Sequence, residues 1–222
     1  RYLGYAALAL VIFQGVLGGL RVVFVSLNLA MVHAAFAQVF FATAMAMTLF
    51  VSRGWLEARD VLPASNPTRK LRVWAWIAVG VLYMQIVLGV LLLHPGTGLD
   101  PMLAIMHIAG AMLSLAAIIY ILVRTKRDFG NARYLGQAVA WLFGAVLFQI
   151  ALGFTAYFVI LDELGMIEPS NFQVVINSLH LVVGAFLFSA TVIVALLASR
   201  RSVAASRTEA AQSTESITLQ SA

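Results

Sequence analysis

The chain has 222 residues, of which 62% are hydrophobic and only 10% charged, and its mean hydropathy is +0.96. An ordinary globular domain carries about 25% charged residues and no more than about half apolar ones, so a soluble domain, a disordered chain and a nucleic-acid binder are excluded. Cysteine is absent, which removes disulfides, thiolate metal sites and cysteine nucleophiles together.

The chain begins Arg1-Tyr2-Leu3 and shows no signal-peptide layout; an upstream segment removed, or a fragment, is the expectation. Stretches free of Asp, Glu, Lys and Arg then recur, and a bilayer core needs about 20 apolar residues per helical span. The first stretch covers residues 2–20. Arg21, Ser26 and Asn28 interrupt it, and a tight hairpin near 21–29 leads into the second, 30–52. A charged linker occupies 53–72, and the third span covers 73–93. His94, Pro95, Gly96 and Gly98 form a turn after it. Spans four, five and six cover 102–123, 134–158 and 174–199. The tail, 200–222, is rich in Ser, Thr, Ala and Gln and reads as disordered. Long runs without period-2 alternation predict helices rather than strands. The predicted fold is an all-α polytopic integral membrane bundle of six transmembrane helices, with the lipid bilayer as its first partner.

Six spans put both termini on one side. That side holds thirteen of the fourteen Lys and Arg residues, and the other holds only Arg21. The positive-inside rule therefore predicts cytoplasmic termini. The pI near 10 is a topology signal with some attraction to anionic lipid, not a nucleic-acid signal.

The odd-numbered spans share a motif, Q-x-x-L-G: Gln14 to Gly18, Gln85 to Gly89 and Gln149 to Gly153. Each is followed in the next span by a single histidine, His33, His107 or His180. Small residues follow each histidine within about a turn: Ala34 and Ala37, Gly110 and Ala111, Gly184 and Ala185. The repeating unit is a helical hairpin, occurring three times. A membrane Gln is often interhelical hydrogen-bond glue, and a Gly a close-packing site. Three ionisable side chains, one per hairpin and all near the outer end of their helix, point further, to metal ligation.

Imidazoles without Cys or intramembrane carboxylates argue against iron–sulfur, di-iron and most zinc sites. Haem suits them better. It needs one or two axial histidines, an apolar slot, and small residues where its face meets a helix. His107 and His180 can face each other across one four-helix bundle, giving a bis-His haem. Gln14, Gln85 and Gln149 are candidate cofactor contacts, with helix glue as the alternative. Arg21 is a candidate propionate partner near the His33 layer, or an interfacial arginine that snorkels. His94 is interfacial, or a helper in proton transfer. His33 is left without a partner, which points to one further hairpin upstream and a second four-helix bundle.

The segment Gln14-Gly15-Val16-Leu17-Gly18-Gly19-Leu20-Arg21-Val22, followed by His33 and by Gln38-Val39-Phe40-Phe41, resembles the third and fourth spans of the heme A synthase family. The family's third-span motif is Q-x-x-x-G followed by a Thr-Val-like pair. Gln14, Gly18 and Val22 fit it, and Arg21 takes the Thr position. The resemblance covers residues 1–199 as spans three to eight, and the tail lies outside it.

That resemblance implies eight transmembrane helices in two pseudo-symmetric four-helix halves, each with a His pair. Residues 1–52 would be the second hairpin of the amino-terminal half, 53–72 a cytoplasmic linker, and 73–199 the carboxy-terminal half. It implies that the amino-terminal half oxidises a methyl group of the substrate haem O to a formyl group, making haem A. His33 would be a catalytic, iron-binding histidine there. The carboxy-terminal half would bind haem B, with its iron held by His107 and His180. The haem sites would lie toward the outer face of a bacterial-type plasma membrane. Heme O synthase and cytochrome oxidase assembly factors are the implied partners. Family members also use a Glu in the first outer loop and a His at the start of the second span; this chain contains neither position. Many carry Cys pairs in outer loops, and this chain departs from them. A chain starting at Arg1 is expected to bind haem B without a complete catalytic site. The alternative function is a b-type membrane cytochrome that carries electrons without modifying haem.

Overall fold

A computed structural model describes residues 2–57, 61–92, 100–163 and 168–200. Arg1, His94 and the tail beyond Arg200 therefore lie outside the described residues. The helices are α1 (Tyr2–Val23), α2 (Leu27–Val51), α3 (Arg53–Leu56), α4 (Asn66–Leu92), α5 (Pro101–Asp128), α6 (Arg133–Asp162) and α7 (Asn171–Ser199). There is no strand among the described residues. Six of these helices are long and apolar enough to cross a membrane. The chain is an all-α integral membrane protein.

The helices outrun the apolar stretches that predict them. A charge-free stretch records the part that faces hydrocarbon, whereas the helix continues until its backbone meets a cap. Asp100 caps α5 by accepting from the backbone N–H groups of Met102 at 2.8 Å and Leu103 at 3.1 Å, and Pro101 stands in its first turn, where a missing N–H costs nothing. Ser26 and Ser170 cap α2 and α7 in the same way. At its other end α5 carries Arg124, Lys126 and Arg127 past the apolar run; cations there complement the helix dipole. The short α3 lies within the stretch read as linker.

The turn between α1 and α2 is tighter than the predicted one. Ser26 N–H donates to the Arg21 carbonyl at 3.1 Å, and Val25 takes a positive φ of 45°. A β-branched residue is strained there, because the left-handed region costs an L-residue about 1–2 kcal/mol. Val25→Asn is expected to raise stability by about 1 kcal/mol, measured by thermal unfolding in detergent. A lower midpoint would contradict that reading.

Helices α4, α5, α6 and α7 pack side by side in a closed ring, each on its two neighbours. The α1–α2 hairpin lies outside this ring, with α2 against α7 and α4. The end of the bundle near Tyr2 is called proximal here, and the end carrying the α1–α2 turn distal. The fully buried side chains include Leu71 on α4, Ile118 and Ile121 on α5, Leu135, Val139 and Leu142 on α6, and Val194 on α7. Chain direction puts all of them in the proximal half. That half is close-packed, which fixes the helices.

A clasp closes the proximal end. The Arg200 guanidinium lies 4.5 Å from the centre of the Trp55 ring and donates to the carbonyls of Gly54 and Trp55. Gly54 sits against Tyr134 so closely that a Cβ would meet the ring at 2.9 Å. Trp76 Nε1 donates to Ser199 Oγ at 3.0 Å. The short α3 is thereby pinned to α6 and to the end of α7.

Candidate functional site

Each long hairpin brings its Gln, Gly and His together. A Cβ on Gly18 would meet His33 Cε1 at 3.4 Å, one on Gly89 would meet His107 Cε1 at 3.2 Å, and one on Gly153 would meet His180 Cε1 at 3.0 Å. The glycine of each motif is therefore the seat on which the next helix lays its imidazole. The periodicity explains why: the Gln and the Gly are four residues apart, one above the other on a single helix face.

The glutamines reach back across the same seams. The Gln149 amide nitrogen donates to the His180 carbonyl at 2.9 Å and stands 3.1 Å from Nδ1 and 3.2 Å from Nε2 of its ring. The amide orientation that satisfies Gln14 makes it donate to the His33 carbonyl at 3.2 Å and to its Nδ1 at 2.9 Å, while its oxygen accepts from Ala37 N–H at 3.2 Å. Gln85 presses on Gly110, where a Cβ would fall 1.8 Å from its amide nitrogen. Gln149 faces Gly184 at 3.1 Å by the same measure. The small residues after each histidine thus make room first for the glutamine of the preceding helix. The helix-glue reading of the glutamines has direct geometric support.

His107 and His180 meet across the ring. Their ring centres are 6.3 Å apart, with an angle of 67° between planes. Both line a cavity in the distal half of the α4–α7 bundle, together with Gln85, Gly89, Gln149 and Gly153. The lining runs from Val146 to Ile160 on α6, about 21 Å along the helix axis at about 1.5 Å per residue. Apolar side chains make up most of the wall, as in most cofactor sites.

Three observations bear on what the cavity can hold. Two metal–nitrogen bonds of about 2 Å and two imidazole radii of about 1.2 Å span about 6.4 Å, which matches the ring separation. The buried atoms Gln85 Oε1, Gln149 Oε1 and His107 Nδ1 have no hydrogen-bond partner among the described residues. A ligating histidine donates its second ring N–H to an acceptor of this kind. Finally, no group of three or more His, Asp or Glu side chains forms a metal cage among the described residues. A porphyrin iron needs only one or two axial ligands from the protein. The residues fit an iron porphyrin held by two histidines.

The other predicted residues are placed differently. His33 is half-buried on α2, against α1, and does not line that cavity. Arg21 is exposed in the last turn of α1, three residues beyond Gly18 and so about one turn distal to the His33 contact. No hydrogen bond joins Arg21 to His33 among the described residues.

Four polar residues join the lining that sequence reasoning did not single out as site residues: Gln38, Ser114, Tyr157 and Asn177. The signal for Gln38 is its offset of five positions from His33. At about 100° per residue the two side chains leave α2 on nearly opposite faces. One faces α1, and the other reaches the α4–α7 cavity, where its Oε1 is buried without a partner. Ser114 spends its hydroxyl on the Gly110 carbonyl at 2.9 Å, a bond that fixes the rotamer beside the small residues.

Comparison with protein-family models, with curated proteins and with solved structures found no match to this chain.

Proposed function

We propose that the chain holds haem B between His107 and His180 and takes part in the heme A synthase-like oxidation of haem O to haem A for terminal oxidases. The observation that carries the haem reading is the 6.3 Å separation of the two imidazole rings inside one membrane-embedded cavity. The choice of reaction rests on the resemblance of Gln14 to Val22, His33 and Gln38 to Phe41 to that family.

In this reading the residues divide the work by position. His107 and His180 would hold the iron group through their ring nitrogens. Gly89 and Gly153 leave room for the Cε1 edge of each ring against α4 and α6. Gln85 and Gln149 set ring orientation from the preceding helix, Gln149 through its amide nitrogen, which donates to the His180 carbonyl and stands beside the imidazole. The close-packed proximal half keeps the histidines at fixed separation. The apolar wall excludes water from the bound macrocycle. When bound, the iron group supplies the electron and oxygen chemistry that side chains lack.

Hairpin α1–α2 belongs, in the same proposal, to the substrate half of an eight-helix arrangement. His33 is the catalytic histidine on the haem O side, and Arg21 at the helix end serves a propionate. The sites lie toward the outer face, with the termini in the cytoplasm. Heme O synthase and oxidase assembly factors are the proposed partners.

The direct test is pigment chemistry. The full-length protein is co-expressed with a heme O synthase, and its haems are extracted and identified by mass. A formyl-bearing product supports the synthase reading. Haem B alone supports a b-type cytochrome, a reading favoured by one observation: His107 and His180 are the only histidines that line the cavity among the described residues. In the synthase, His33→Ala is expected to leave the low-spin haem B spectrum unchanged and to abolish haem A formation. Surviving haem A formation would remove His33 from catalysis.

A further inference from the structure

The two hairpins that form the cavity are near-copies at Gln, Gly and His, and they part company at its distal edge. Tyr157 stands four residues after Gly153, and Asn177 three residues before His180. Both line the cavity. The matching positions in the other hairpin are Leu93, four residues after Gly89, and Ala104, three residues before His107. Ala104 also lines the cavity and is 5% exposed. The repeat is thus polar on the α6–α7 side and apolar on the α4–α5 side.

Packing gives no reason for that difference. Neither the Tyr157 hydroxyl nor the Asn177 amide makes a side-chain hydrogen bond among the described residues, although Ser114, Thr155, Ser189 and Thr191 nearby all satisfy themselves on the carbonyl four residues back. The Tyr157 ring packs on Phe158 at 5.8 Å between centres, and its hydroxyl stays uncommitted. A hydroxyl and an amide left open at one edge of an apolar slot suit an acceptor on the ligand. Charged acceptors gain most from such donors.

We propose that Tyr157 and Asn177 receive the carboxylate-bearing edge of the macrocycle and thereby fix which way round it enters the cavity. The inference rests on the haem reading above and adds to it a specificity-determining pair. A symmetric His–His clamp does not distinguish one edge of a planar ligand from another. The asymmetric rim does: carboxylates toward α6 and α7 meet two donors, and carboxylates toward α5 meet Ala104. Burying a charged group without partners is heavily penalised, so the second orientation is rejected.

The test is a titration of the haem-free full chain in detergent with two probes, haem B and its dimethyl ester, which lacks the carboxylate charges. The unmodified chain is expected to favour the free acid by about tenfold or more, the scale of one charge-assisted hydrogen bond. Tyr157→Phe combined with Asn177→Leu is expected to bring the two affinities together while binding the ester as before. Unchanged ester binding reports an intact fold. Asn177→Ser, which keeps a hydrogen-bonding group, is expected to retain part of the preference. Equal affinities in the unmodified chain, a preference that persists in the double variant, or loss of ester binding there would each overturn the proposal. A chain that takes up neither probe with a bis-imidazole spectrum would overturn the haem reading itself, a result distinct from the other three.

Discussion

His180→Ala is expected to abolish the low-spin haem spectrum of the purified protein, and His107→Ala to do the same. Each variant removes one of two nitrogens that the fold holds 6.3 Å apart, ring centre to ring centre. The loss cannot be made good locally. Among the described residues the cavity lining contains no third histidine, cysteine, methionine sulfur at the same layer or carboxylate that would take the place of either ring: its only sulfur is Met112, five residues proximal to His107. The expected result is a five-coordinate high-spin haem or none at all, read from the optical spectrum and from paramagnetic resonance. His33→Ala serves as the matched control, because His33 lies on α1's side of α2 and outside the cavity. A normal low-spin spectrum in either His107→Ala or His180→Ala would end the ligand assignment.

Gly110→Ala is the second variant with a large expected effect. The added methyl would fall 1.8 Å from the Gln85 amide nitrogen and 2.8 Å from its Cδ. Gln85 is itself only 9% exposed, so its amide has little room to retreat. Overpacking of this kind costs about 1–3 kcal/mol. Movement of Gln85 would also disturb the ring that Gly89 seats, so a broadened or shifted haem spectrum should accompany the lower unfolding midpoint. Gly144→Ala is the contrast: nothing lies within 4 Å of a Cβ there, and it sits in mid-helix, where Ala is favoured over Gly by about 1 kcal/mol. It is expected to be neutral or stabilising. Equal effects from the two substitutions would mean that the Gln85–Gly110 contact is not a close one in solution.

Much of this arrangement is legible in the sequence, for a physical reason. Hydrocarbon forces backbone groups to bond within their own helix, so charge-free runs mark spans almost directly. The ends are less legible, because caps such as Asp100 and basic turns such as Arg124 to Arg127 extend the helix beyond the apolar stretch. The motif glycines are legible as close-packing sites through their recurrence with Gln and His. What each glycine admits is not: Gly153 seats an imidazole while Gly184 admits an amide, and only the pairing of helices decides which. The closed α4–α7 ring, and the contact of α2 with α7, depend on which hairpin lies beside which, and periodicity along one helix carries no such information. Gln38 illustrates the point. Its face on α2 follows from its offset from His33, but its place in a cavity built by four other helices does not. Tyr157 and Asn177 became visible only once Gly89 and Gly153, and His107 and His180, were set in register as copies of one unit.

The most direct measurement is the coordination state of the haem in the unmodified full chain, purified from a haem-replete membrane and examined by optical and paramagnetic resonance spectroscopy. A low-spin ferric centre with two imidazole ligands is the predicted result. A purified, folded protein with no Soret band, or a haem whose spectrum requires a ligand other than His107 and His180, would contradict it.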